Sequence, residues 1–77
     1  MSATDDAKLA RMAEAIAAFF RSMPDEQAAA AVAGHINQFW APQMRRNFVA
    51  RFGDDPSPLH PLVRRALPLV RVPAARL

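Results

Sequence analysis

Proline placement constrains this chain more than any other feature. Prolines stand at positions 24, 42, 56, 58, 61, 68 and 73. A proline inside a helix removes a hydrogen bond and clashes with the preceding turn, so helices must begin or end around it. Ser22-Met23-Pro24-Asp25 reads as a helix start: Ser22 can cap, Pro24 suits the first turn, and Asp25 and Glu26 favour the positive end of the helix dipole. Ala41-Pro42 breaks that helix and opens another. Asp54-Asp55-Pro56-Ser57-Pro58 is a loop by composition, and Pro68 stops a short helix.

Between these breaks the apolar residues recur at helical spacing. A first helix is predicted over about 5–22, with Thr4 as N-cap and Asp5 and Asp6 in its first turn. Its apolar stripe is Leu9, Met12, Ala13, Ile16, Phe19, Phe20 and Met23, flanked or opposed by Arg11, Glu14 and Arg21. A second helix is predicted over about 24–40, with Ala28, Val32, Ile36, Phe39 and Trp40 as its stripe. Its back face, Ala30, Ala31, Gly34 and Asn37, is small rather than charged. A helix with so little charge around its girth is expected to be buried on more than one side, which points to a partner.

A third helix runs from Pro42 through Met44, Phe48, Val49 and Phe52 to a C-terminal cap at Gly53. Arg45 and Arg46 fall in its first turn, where cations oppose the dipole. A fourth, short helix carries Leu59, Leu62, Val63, Ala66 and Leu67. The expectation is an all-α fold: a small bundle of three main helices, a short fourth helix and an extended C-terminal tail. Residues 1–67 form one domain and 68–77 an extended or disordered tail.

The core is thin. Seventeen of the 77 residues are alanine and 23 are large apolar side chains. Chains of this size usually need a disulfide, a metal, oligomerisation or a partner. There is no cysteine, and His35 and His60 lack helical ligand spacing, so a partner or a second copy is the default expectation. The acidic opening with Asp5 and Asp6 is the reverse of a secretion signal, and no apolar stretch is long enough to cross a bilayer; a cytoplasmic location is expected.

Chemistry is hard to find. The serines lie at helix starts or termini, and the carboxylates cluster at helix N-termini and in one loop. The only glycines are Gly34 and Gly53, so there is no phosphate-binding glycine loop. No catalytic residue, bound cofactor or metal ligand is assigned. Charge is unevenly spread: residues 1–40 carry three cations against five acids, and residues 41–77 carry seven arginines against two acids. A basic nucleic-acid-binding regulator is therefore one rival, but the third helix presents Met44, Phe48 and Phe52 and few side chains that read base edges. A self-associating helical protein, a homodimer through the alanine face, is the other. No membrane role is expected, because the first helix carries both charge signs.

His35-Ile36-Asn37-Gln38-Phe39-Trp40-Ala41-Pro42-Gln43-Met44-Arg45 fixes two aromatics, a proline and an arginine across a helix junction. With the upstream Leu9-Ala10-Arg11-Met12-Ala13 and Ile16-Ala17-Ala18-Phe19-Phe20, and the later Pro61-Leu62-Val63-Arg64, it resembles the delta subunit of the soluble NAD-dependent formate dehydrogenases. The resemblance spans about Lys8 to Ala66. It implies a noncatalytic accessory chain that accompanies a molybdenum-containing catalytic alpha subunit and supports its assembly or stability. The implied complex carries a molybdenum cofactor, iron–sulfur clusters, FMN and NAD, none of them on this chain. Two positions depart from the family pattern: Ala41 and His60 each precede a proline where an acidic residue is common.

The motif makes physical sense as a docking corner, with His35, Phe39, Trp40, Pro42, Met44, Arg45 and Arg46 as partner-binding residues. Aromatic anchors dominate interfaces, although Trp40 serves equally well as a plug between the second and third helices.

Overall fold

The computed structural model describes residues 3–72, and the side chains of residues 6–72. Four α-helices follow one another: α1 Ala3–Phe20, α2 Asp25–Phe39, α3 Pro42–Phe52 and α4 Pro61–Ala66, and a 3₁₀ turn over Leu67–Leu69 closes the series. There is no strand among the described residues. The fold is all-α, as the proline spacing and the apolar periodicity imply. The capping expected of the Thr4 side chain lies outside the described residues, and the backbone is already helical at Ala3.

The helix starts differ from expectation in an instructive way. Pro24, with φ −54° and ψ 145°, is itself the N-cap of α2, and its carbonyl accepts from the Ala28 N–H at 2.8 Å. Ser22 therefore lies two residues upstream of the cap and does not serve as one. Ala41 occupies the N-cap of α3 with no side-chain hydrogen bond. At α4 the His60 side chain does the capping: its Nδ1 accepts from the Leu62 N–H at 3.1 Å. An imidazole thus performs the duty usually given to an oxygen at this position. Gly53 ends α3 with helical φ −62° rather than a left-handed one, and its N–H donates to Val49 O at 2.7 Å. A Cβ there would lie 2.5 Å from that same oxygen, so close approach, not positive φ, calls for glycine. In the loop beyond it, Asp55 accepts from the Ser57 hydroxyl at 2.6 Å and from the Ser57 N–H at 3.3 Å. These bonds, the hydroxyl's first, hold its carboxyl below the usual value.

α2 is the central element: it packs against α1 on one side and against α4 and the 3₁₀ turn on another. Ala28, Ala29, Val32, Ala33 and Ile36 are all buried. The apolar residues on these two flanks therefore have an internal cause, since the chain covers both by itself. What stays open is a narrow strip that includes Ala30 and Gly34. The core continues through Leu9, Ala13, Ile16 and Ala17 of α1, Phe48 and Phe52 of α3, and Leu59, Leu62, Val63, Ala66 and Leu67 around α4. Arg51 Nε pairs with Asp6 Oδ2 at 3.2 Å, linking the end of α3 to the start of α1.

Three side chains leave the stripes expected of them. Phe19 is 84% exposed, Phe39 65% and Met23 36%. The buried face of α1 is centred on Ala13 and Ala17, and at 3.6 residues per turn Phe19 lies about 140° around the helix from it. Phe39 is the last residue of α2. The segment after Pro68, expected to be a loose tail, is tied to the bundle as far as Arg71. Val70 is buried, Asn37 Nδ2 donates to Leu69 O at 3.1 Å, and the Arg71 N–H donates to Asn37 Oδ1 at 2.7 Å. Residues 73–77 of that tail lie outside the described residues.

Candidate functional site

The seven residues of the expected docking corner divide into two groups. Trp40 is 6% exposed and meets the Phe48 ring edge-on, centroids 5.4 Å apart. It fills the junction that Pro42 creates by starting α3 immediately after α2. Met44 is half-buried against the same core. Arg45 is half-buried, and its Nη1 donates to Arg71 O at 2.9 Å. This contact compensates for a cation in the first turn of a helix, where the dipole disfavours it. Exposed Arg46 donates to Gln43 Oε1 at 2.8 Å. Trp40, Met44 and Arg45 thus hold the molecule together, while Pro42 and Arg46 lie at its surface.

His35 and Phe39 form the second group. One turn apart on α2, their rings stack with centroids 4.7 Å apart and planes tilted by 42°. His35 also helps to line a cleft of about 360 Å³, whose other walls are Ile16, Phe19 and Phe20 of α1. The α1–α2 packing therefore builds an aromatic surface that includes only two of the seven expected residues. Spacing alone places Phe19 and Phe20 on the apolar stripe of the first helix. Their adjacency was the available signal: consecutive residues diverge by about 100°, so both rings cannot centre one buried face.

Asn37, one of the small back-face residues of α2, is a structural contributor that no local pattern marks. Its side-chain amide both donates to and accepts from the backbone at 69–71, as a neighbouring strand would. Among the described residues no group of three or more His, Asp or Glu side chains is placed to hold a metal ion, and no helix is long and apolar enough to cross a membrane. The surface offers apolar shape and ring edges, which suit recognition of another protein.

Comparison with known proteins gives a family. The family model for the NADH-dependent formate dehydrogenase delta subunit FdsD matches residues 8–67, most of the chain. No curated protein and no solved structure matches it.

Proposed function

The chain belongs to the family of NADH-dependent formate dehydrogenase delta subunits, and on that premise we propose that it is a noncatalytic accessory subunit binding the catalytic alpha subunit. In this reading it supports assembly or stability of a cytoplasmic complex. The molybdenum cofactor, iron–sulfur clusters, FMN and NAD belong to the other chains. The observation that carries the reading is the open aromatic surface of α1 and α2. A small protein that leaves Phe19 84% and Phe39 65% exposed has a strong hydrophobic incentive to be covered.

The basic C-terminal half gives little support to a nucleic-acid role, because α3 offers few side chains that read base edges. Deleting the chain from cells that make the complex is expected to lower the yield or the molybdenum content of the purified enzyme. Unchanged activity per cell together with unchanged metal content would exclude the assembly role.

A further inference from the structure

Phe19 and Phe39 are the two most exposed large apolar side chains among the described residues. They are not scattered. Phe19 is a wall of the 360 Å³ cleft, and Phe39 stacks on His35, another wall. We infer that this cleft, rather than the Trp40–Arg46 corner, is the centre of the contact with the catalytic subunit, and that it receives uncharged apolar side chains projecting from that subunit. Phe19 is then the principal anchor on this chain. The inference rests on the accessory-subunit reading above and names the chemistry of its interface.

Three features fix the occupant. The first is charge. From Met12 to Phe20, α1 carries one charged side chain, Glu14, and its carboxylate accepts from the His60 N–H at 3.3 Å, toward α4. From Gln27 to Phe39, α2 carries no Asp, Glu, Lys or Arg. A charged partner side chain seated among these rings would be desolvated with no counter-charge to meet it, a costly arrangement. The complement is therefore apolar and uncharged.

The second feature is area. Aromatic side chains present about 150–250 Å² each, so the observed exposures of Phe19 and Phe39 leave about 300 Å² of apolar surface between them. A stable interface of standard size covers about 800 Å² on each side. Pairing of two copies through this patch alone falls well short. A larger protein that fills the cleft and extends over its rim makes up the difference. The third feature is the state of the alternative corner: Trp40 is inside the core and Arg45 is held by the C-terminal segment.

The test is titration of the chain with purified catalytic subunit, at about 50 mM and about 500 mM salt, for the wild type, Phe19→Glu and Phe39→Ala. Phe19 is so exposed that Phe19→Glu should keep the helical circular dichroism and melting temperature of the wild type. Phe39→Ala supplies a second reading should it not. Expected are a loss of affinity of about 30-fold or more for Phe19→Glu, a smaller loss for Phe39→Ala, and wild-type affinity that hardly changes with salt. Wild-type binding that both variants retain in full would overturn the inference. So would a steep fall with salt, which would move the contact to Arg45 and Arg46. Failure of the wild type to bind at all would instead overturn the accessory-subunit reading beneath it.

Discussion

Trp40 shows how one residue can be read in two ways until its surroundings are known. In sequence it stands beside a proline and two arginines, where an exposed indole would make a strong interface anchor. In the structure it is almost wholly enclosed, and its ring packs T-shaped with that of Phe48, itself fully buried. Truncating a buried aromatic of this size removes transfer energy and leaves a cavity. Trp40→Ala is therefore expected to destabilise the fold by about 3–5 kcal/mol, read by thermal or urea unfolding. A loss of less than about 1 kcal/mol would mean that the α2–α3 junction collapses around the gap or never depended on the indole. His60 is a similar case. It precedes Pro61, and its Nδ1 satisfies the first free N–H of α4. An imidazole nitrogen there takes the place of the usual capping oxygen.

At the scale of elements, Asn37 is the fastener between α2 and the C-terminal segment. Its amide makes two of the hydrogen bonds that hold residues 69–71, and Arg45 makes a third from α3. Asn37→Ala should therefore lower hydrogen-exchange protection of residues 69–72 and leave α1 and α2 protected as before. Equal loss of protection throughout would show that the segment is part of the cooperative core. The existence of each helix is legible from the sequence, because prolines 24, 42 and 68 mark ends and the apolar spacing fills the segments between. The start of the fourth lies at Pro61, past the Leu59 that the spacing includes. Which face each helix buries was legible only in part. On α1, alanines at 13 and 17 set the direction of packing, and alanine is too common in this chain to advertise a face. The hydrogen bonds from Asn37 and Arg45 span 32, 34 and 26 residues of sequence, and no local pattern announces such contacts. The candidate surface suffered from the same limit: His35 and Phe39 were found through their motif, while Phe19 was hidden inside a plausible stripe.

Across the whole molecule, the chain uses α2 as a spine, covering it with α1 on one flank and with α4 and the 3₁₀ turn on another. That arrangement accounts for the apolar residues on the two covered flanks of the second helix, while its open strip, Gln27, Ala30, Gly34 and Gln38, is uncharged as well. It also leaves the two most exposed large apolar side chains of the described residues, Phe19 and Phe39, beside one aromatic cleft, and the proposal of a partner rests on that cleft. Family membership supplies the identity of that partner as a proposal, and the cleft supplies the physical reason for binding. The most direct measurement is to co-express the tagged chain with the other formate dehydrogenase subunits and identify by mass spectrometry what copurifies with it. Recovery of the large molybdenum-containing subunit in stoichiometric amount is the predicted result. Recovery of the chain alone, folded and with all other subunits in the flow-through, would contradict the account.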